Sequence, residues 1–345
     1  GERTIRLILK FFENIEKYMG KYGIEIKAEK LNKFVSSLIQ YSIYLVREET
    51  MCSISGFYNP TANFEGQRDY FLHILENMKS CLHHRGPDEN DCHLGSHCGL
   101  AHTRLSIIDL ENGHQPMSRQ MDGYWYHIVY NGEIYNLPVL RKQLEEHNVS
   151  IQTNSDTEIL LLSFMTFGAD FVKQIDGIFA FAIYDERHNT LTLFRDSFGV
   201  KPLFYTVFEG TLIFSSEPKG CFQFPGVKAV LDCSGLNEIL SLGPARNPGS
   251  GVFRDFYELL PGTYLTCSPF GRHETNYYHL ESRPHFDSYE ETVEKTSFLV
   301  RHMPANGLRC ADMYVFIRRN RFECRIRRLC QRVEKTGQTI DDLFL

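Results

Sequence analysis

The sequence predicts an α+β fold in which antiparallel sheets are covered by helices. After Met51 the chain consists mainly of short runs rich in β-branched and aromatic residues, which are typical of strands. Many of these runs are separated by spacings typical of hairpins, and they outnumber the helical segments between them. These two observations favour antiparallel sheets with helices packed on them.

The predicted strands are short and largely apolar. Their sequences are CSISGFY (52–58), HCGLAHTRLSIIDL (97–110), YHIVYNGEIYN (126–136), IFAFAIYDE (178–186), TLTLFRDS (190–197), LFYTVFEGTLIFSS (203–216) and GTYLTCS (262–268). Helices are predicted over 70–84, 137–148 and 156–175, and the last two follow polar residues that can cap a helix. Residues 1–50 carry apolar residues at helical spacing around a Gly20 to Gly23 break, which predicts two amphipathic helices.

Composition indicates a soluble globular protein of the cytoplasm. The chain has 345 residues, of which 42% are hydrophobic and 23% charged, and its net charge is -6. An acidic balance gives no electrostatic reason to expect nucleic acid or an anionic membrane as partner. The ten cysteines show no regular framework, and no apolar run approaches the ~20 residues that span a bilayer. We therefore expect reduced thiols and no membrane segment.

Six polar clusters lie beside or at the ends of the strand-like runs. They are Cys52, HRGPD (84–88), AHTRLSIID (101–109), YNGEIYN (130–136), NSDTE (154–158) and RDSFGVKPLFY (195–205). In this order they closely resemble the glutamine amidotransferase domain of glutamine-hydrolysing asparagine synthetases, a class II glutaminase with an N-terminal nucleophile. The resemblance extends from Met51 to about Leu299, with GHQPM, DGIFAFAIYD and LLPGTY in register between the clusters.

This resemblance implies a fold, a domain division and a reaction. The fold is a four-layer αββα sandwich of the Ntn-hydrolase type, formed by two antiparallel sheets between helices. Residues 52–280 form the amidotransferase domain, 1–50 a helical extension outside it, and 281–345 a remnant of the synthetase start with an Arg-rich tail. The reaction is hydrolysis of glutamine to glutamate and ammonia through a thioester on Cys52.

Cys52 can supply both a nucleophile and a base. A thiol of pKa ~8.5 is mostly protonated at neutral pH, and a free α-amine of pKa ~7.7 to 8 on the same residue can accept its proton. The alternative is a small core residue on the first strand. Because Met51 precedes Cys52, the enzyme hypothesis requires removal of residues 1–51, most simply by translation from Met51 and loss of that methionine.

Asn131 and Gly132 suit an oxyanion hole, since an amide side chain and an unobstructed backbone N–H can both point at the developing charge. From the residues alone, Asn-Gly between two strand-like runs equally predicts a type I′ hairpin turn. The resemblance implies the oxyanion role.

Recognition of glutamine requires a cation for its α-carboxylate and an anion for its α-ammonium. Arg104 can bind a carboxylate with two parallel hydrogen bonds. The resemblance assigns it this role, together with the residues that follow, Leu105, Ser106, Ile107 and Ile108. It assigns Asp156, with Glu133, to the ammonium group. Surface ion pairs are the alternative for all these charges.

A metal site is not predicted. Cysteines and histidines between Cys81 and Cys98 match no common zinc spacing. HRGPD and RDSFGVKP are interpreted as structural or interdomain loops. No cofactor is expected in this chain.

No Ser-Gly-Gly-x-Asp-Ser pyrophosphate loop occurs in the chain, so ATP and Mg²⁺ are expected only for a synthetase domain that is missing. That domain, or a separate synthetase chain, is a possible partner, and a homodimer is another possibility. Two alternatives to the leading function stay open: another class II amidotransferase module, or a catalytically silent glutamine-binding domain in which Cys52 is not N-terminal. The basic segment 318–332 is interpreted as a solvated helix or a tail rather than a nucleic-acid site.

Overall fold

The structure, a computed structural model, describes residues 52–104, 114–242, 246–281 and 284–302. The helical prediction for residues 1–50 and the interpretation of segment 318–332 lie outside the described residues. Among the helices within these ranges, none combines the length and the apolar character needed to cross a membrane.

Two six-stranded antiparallel sheets form the centre of the molecule, within the described ranges. The strands are β1 (Ser53–Tyr58), β2 (Glu89–Leu94), β3 (Cys98–Arg104), β4 (Met117–Met121), β5 (Tyr124–Ile134), β6 (Gly177–Asp185), β7 (Thr190–Arg195), β8 (Phe204–Phe208), β9 (Thr211–Ser215), β10 (Phe256–Glu258), β11 (Thr263–Ser268) and β12 (Gly271–Asn276). Sheet A has the order β10-β8-β9-β1-β3-β2, and sheet B has the order β12-β11-β7-β6-β5-β4. Each sheet therefore places a predicted site strand, β1 or β5, away from its edges.

The helices in the described ranges are α1 (Arg68–Leu82), α2 (Leu137–Glu146), α3 (Asp156–Phe167), α4 (Pro218–Cys221), α5 (Cys233–Leu242) and α6 (Tyr289–His302). The prediction of one continuous helix over 156–175 is wrong. Helix α3 ends at Phe167 because Gly168 adopts a φ of 71°, and the chain continues as a 3-10 helix over Ala169–Gln174. The start of α3 agrees with the predicted cap, since the side chain of Ser155 accepts a hydrogen bond from Thr157 N.

Three apolar clusters define four layers. Residues of both sheets, among them Ile54, Leu100 and Val129, form the core between the sheets. Helix α1 packs on the outer face of sheet A, and α3 packs on the outer face of sheet B. Helix α2 lies against α3 through Leu140 and Leu144. The predicted αββα arrangement of two antiparallel sheets is thus confirmed.

Alternation along the strands directs Cys52, Arg104 and Asn131 into the space between the two sheets. Side chains two residues apart on a strand point to the same side. Since Ile54, Leu100 and Val129 face the inter-sheet core, the positions at Arg104 and Asn131 face it too. Cys52, two residues before Ile54, continues the same alternation at the start of β1.

Candidate active site

Cys52 directly precedes β1, at the end of sheet A where β3 finishes. Ser53 pairs with Thr103, and their hydroxyl oxygens are 2.5 Å apart in a buried hydrogen bond. Continuing this antiparallel register by one position places Cys52 opposite Arg104. The proposed nucleophile and the proposed carboxylate-binding residue are therefore neighbours across two paired strands.

The HRGPD segment contacts Cys52 through Arg85, which is 1% exposed. Its Nε donates to the Cys52 carbonyl oxygen at 3.4 Å, and its Nη1 donates to Glu217 Oε1 at 3.0 Å. Glu217 also pairs with His84 and Lys219. Burial alone would raise the pKa of Glu217, but these three cationic or hydrogen-bonding partners hold it far below its usual value. Arg85 thus joins a stable anion to the Cys52 backbone, a contact that the sequence did not indicate.

Asn131 and Gly132 lie within β5, not in a turn. They pair with Ala180 and Phe179 of β6, so the hairpin-turn alternative is wrong. Asn131 is 2% exposed, and its Nδ2 has no hydrogen-bond partner among the described residues. A Cβ at Gly132 would lie 2.3 Å from the carbonyl oxygen of Ile178, so only glycine fits here. Strand β5 therefore carries a buried amide donor that no described residue uses.

Arg104, the last residue of β3, is 7% exposed and is already held by a carboxylate. Its Nη1 donates to Glu89 Oε2 at 2.8 Å, and Glu89 also forms a short hydrogen bond with His114 Nδ1. Burial would raise the pKa of Glu89, but the bonds from Arg104 and His114 keep it below its usual value. Glu89 orients the guanidinium, and sequence reasoning missed it. Residues Leu105, Ser106, Ile107 and Ile108 lie outside the described residues.

Asp156 and Glu133 lie close enough to interact with the same tyrosine. Asp156 is the first residue of α3, and burial raises its pKa, although the Tyr130 hydroxyl and Arg104 act in the opposite direction. The pKa of Tyr130 is far above its usual value because it is buried and because Asp156, Glu133 and Cys52 lie within electrostatic reach. The residues predicted from four separate segments therefore share one electrostatic environment.

Two buried side chains fix the backbone of Tyr130, the residue before Asn131. Gln115 Oε1 accepts from Tyr130 N at 2.6 Å, and Gln115 Nε2 donates to Thr157 Oγ1 at 3.3 Å. From sheet A, His102 Nε2 lies 3.2 Å from the Tyr130 carbonyl oxygen. Burial lowers the pKa of His102 to about 4, so the ring is neutral at physiological pH. Gln115 connects β5 to the start of α3, and only its place in the GHQPM motif marked it in the sequence.

Comparisons with known proteins agree with the motifs. The sequence profile of the Glutamine amidotransferase domain family matches residues 51–278. Asparagine synthetase [glutamine-hydrolyzing] 3 of Bacillus subtilis is 40% identical over 243 residues, which are 70% of this chain and 39% of that protein. Amidase chry2 of Gibberella zeae is 33% identical over 239 residues, 66% of this chain and 34% of that protein.

A solved structure of glutamine phosphoribosylpyrophosphate amidotransferase from Bacillus subtilis aligns with a TM-score of 0.45 and 18% identity, and covers 67% of this chain and 50% of that one. The chain spans 39% of the length of the first curated relative named above and 34% of the second. The family profile, in contrast, matches most of the chain and includes Cys52, Arg104, Asn131 and Asp156. The resemblance inferred from the motifs is confirmed, and this chain belongs to the glutamine amidotransferase domain family.

Proposed function

We propose that this domain hydrolyses glutamine to glutamate and ammonia through a γ-glutamyl thioester on Cys52. One observation carries the proposal: the buried Asn131 amide has no partner among the described residues, and it lies on the side of sheet B that faces the inter-sheet space, to which Cys52 of sheet A is also directed. A preorganised donor beside a thiol is the minimum apparatus for acyl transfer from an amide.

The proposed reaction needs a free amine on Cys52. The α-amine takes the thiol proton, and the sulfur attacks the side-chain carbonyl carbon of glutamine. Asn131 Nδ2 and the Gly132 N–H stabilise the resulting oxyanion, and the amine then returns the proton to the leaving nitrogen, which departs as ammonia. Water attacks the thioester by the same route, releasing glutamate and restoring the thiol. A peptide-linked nitrogen is not basic, so the form preceded by Met51 lacks a general-base contribution of typically ~10²- to 10⁴-fold.

Substrate recognition is assigned to two opposite charges. Arg104, oriented by Glu89, binds the α-carboxylate with the backbone of residues 105–108. Asp156 and Glu133 bind the α-ammonium, and their electrostatic reach to Tyr130 supports this grouping. Burial raises the pKa of Asp156, and an incoming ammonium would favour its ionised form.

The ammonia acceptor is proposed by analogy with the relatives. Three curated relatives named as glutamine-hydrolysing asparagine synthetases are 34% to 41% identical to this chain over the matched segments. We therefore favour a module whose ammonia serves an ATP- and Mg²⁺-dependent amidation of aspartate by a synthetase domain or partner chain. Another class II amidotransferase remains the second candidate, because relatives named as amidases match the same region.

The test compares two forms of the protein. Glutamate release from glutamine is measured for the full chain and for a form whose first residue is Cys52, with Cys52→Ala in the second form as control. We expect activity only when Cys52 is both present and N-terminal. Equal rates in Cys52→Ala would disprove the thioester, and inactivity of a folded Cys52-first form would favour the silent glutamine-binding domain.

A further inference from the structure

A second group of ionisable side chains lies away from Cys52, between the two sheets. His93 of β2, His127 of β5 and Glu186, just after β6, each offer one ligand atom, and these atoms lie within 4.8 Å of one another. We call these three residues the histidine cluster. His127 lies four residues before Asn131 on the same strand, which is about 13 Å along β5. The cluster is thus separate from the glutamine site.

Within the described part of the chain, His93 Nε2 is buried without a hydrogen-bond partner. A buried polar nitrogen left in this state destabilises the fold, which is a reason to look for a ligand. The ring of His93 stacks on that of His127 with centroids 3.8 Å apart and an interplanar angle of 21°. Each ring in its neutral form offers one nitrogen lone pair. An uncharged imidazole with an unused buried nitrogen is suited to bind a metal ion.

The second histidine, His127, is held in place by a hydrogen bond to its Nδ1 atom. His127 Nδ1 lies 2.7 Å from Ser118 Oγ, and its Nε2 lies 3.2 Å from Glu186 Oε1. Metal-binding histidines commonly use their other ring nitrogen in a hydrogen bond of this kind, which fixes the tautomer and the ring orientation. The side chain of Glu186 is 35% exposed, so the cluster has a route to solvent.

We propose that His93, His127 and Glu186 bind a divalent transition-metal ion, with zinc the best match. Two imidazoles and one carboxylate form a known zinc donor set that leaves a fourth position for water. Such a site would join β2, the edge strand of sheet A, to β5 and the β6–β7 turn of sheet B. It would act as a cross-link between the two sheets at a distance from Cys52.

Binding requires a small rearrangement. Ligand atoms around tetrahedral zinc lie about 3.3 Å apart, so separations of up to 4.8 Å must close by at most about 1.5 Å. The ion must also lie in the plane of each imidazole, so the His93 ring has to turn out of its stack on His127, whose ring is held by Ser118. Arg68 opposes a cation near His93, but Glu65 and Glu186 offset it. The sequence-based expectation of no metal could not take this site into account, because its three residues come from distant segments.

Trp125 provides a built-in reporter. It is the only tryptophan in the chain, and its ring stacks near His127 at a centroid distance of 6.4 Å. Full-length protein carrying Cys52→Ala, which removes the proposed nucleophile as a competing ligand, is stripped with a chelator and titrated with Zn²⁺ while Trp125 emission is recorded. We expect an emission change that saturates at one equivalent and is reversed by the chelator. A titration with Co²⁺ should give the absorption bands of a tetrahedral site.

Matched variants locate the ion. Glu186→Gln and His93→Gln should each weaken Zn²⁺ binding at least about tenfold. Loss of a residue that only hydrogen-bonds to a metal ligand already lowers affinity by about that factor, so loss of a ligand should cost at least as much. His188→Gln is the control, because His188 lies in the same turn, has a side chain 64% exposed and pairs with Asp185 instead. Circular dichroism of the metal-free variants establishes that they fold; Glu186 is on a half-exposed turn, so its variant tests the site even if His93→Gln misfolds. No response from Trp125, or an unchanged affinity in Glu186→Gln, would overturn the proposal.

Discussion

Replacing Gly132 by alanine should weaken the fold and the proposed oxyanion site together. Gly132 pairs with Phe179 of β6, and an added Cβ would lie 2.3 Å from the Ile178 carbonyl oxygen and 2.8 Å from the Phe179 Cα. Carbon atoms in ordinary contact lie ≈ 3.5–4.0 Å apart, so the β6 backbone would have to retreat by about 1 Å. Strand β6 is paired on its other side with β7, which resists that movement.

The size of the effect follows from this crowding. Inserting a methyl group into a well-packed region typically costs about 1–3 kcal/mol. For a domain of ~150–250 residues, each kcal/mol lowers Tm by about 2–4 °C, so Gly132→Ala should lower Tm by about 2–12 °C. Because the Gly132 N–H is assigned to the oxyanion, kcat for glutamine hydrolysis should fall as well.

The matched control is Gly66→Ala. A Cβ at Gly66 meets nothing nearer than Asn63 Nδ2 at 3.9 Å, and a surface substitution of this kind usually changes stability by no more than about ±0.5 kcal/mol. Thermal and urea denaturation of the full-length variants measures both effects. If Gly132→Ala melted within a degree of Gly66→Ala, the close approach of β5 and β6 would not be the reason for glycine at this position.

Three further predictions concern other residues of the site. Asn131→Ala should lower kcat by about 10²- to 10³-fold with little change in KM, whereas Arg104→Ala should mainly raise KM, and steady-state kinetics showing the reverse would refute this division. Gln115→Leu leaves the N–H of Tyr130 buried without its acceptor and should cost about 1–3 kcal/mol in urea denaturation; an unchanged midpoint would show that this bond is dispensable. Burial lowers the pKa of His102 from 6.5 to about 4. Between these pH values His102 is therefore protonated in the unfolded chain and neutral in the folded one. Stability should therefore decrease as pH falls through this window, by up to about 1.4 kcal/mol per pH unit for this group, and chelator-treated His102→Gln should show a shallower slope than the wild type.

Strands with two buried faces could be predicted from the sequence, whereas edge strands could not. Strands β1, β6 and β7 are buried almost along their whole length because both of their faces are covered, and their aliphatic and aromatic residues marked them in the sequence. Strands β2, β4 and β12 were missed, since their polar sequences show no alternation, and β12 is almost entirely exposed. Strand β10, the remaining edge strand, was missed because it has only three residues. The end of α3 before Gly168 was also missed. Phe171 and Val172 continue the helical spacing of apolar residues through the 3-10 segment, so the pattern shows no break.

For the candidate site, motifs identified the residues but not their supports. Cys52, Arg104 and Asn131 were predicted from separate segments, and the strand alternation directs all three positions into the space between the two sheets. The hydrogen bonds that orient this group come from Glu89 and Gln115, whose partners lie many residues away in the sequence. No local pattern reports such a partnership, because it depends on which strands become neighbours.

The amide nitrogen of Asn131, which has no hydrogen-bond partner among the described residues, is explained better by binding than by stability. A buried donor without an acceptor costs about 1–3 kcal/mol, and apolar residues of similar size would avoid that cost. The backbone on its N-terminal side is fixed by Gln115 and His102, so the position of this strand does not adjust easily to give the amide an acceptor. A buried donor left without an acceptor does not help packing, but it can receive negative charge from a ligand, in agreement with the proposed oxyanion role. The same reasoning applies to His93 Nε2, which has no partner among the described residues and which, in the tautomer with hydrogen on Nδ1, offers a lone pair to a cation.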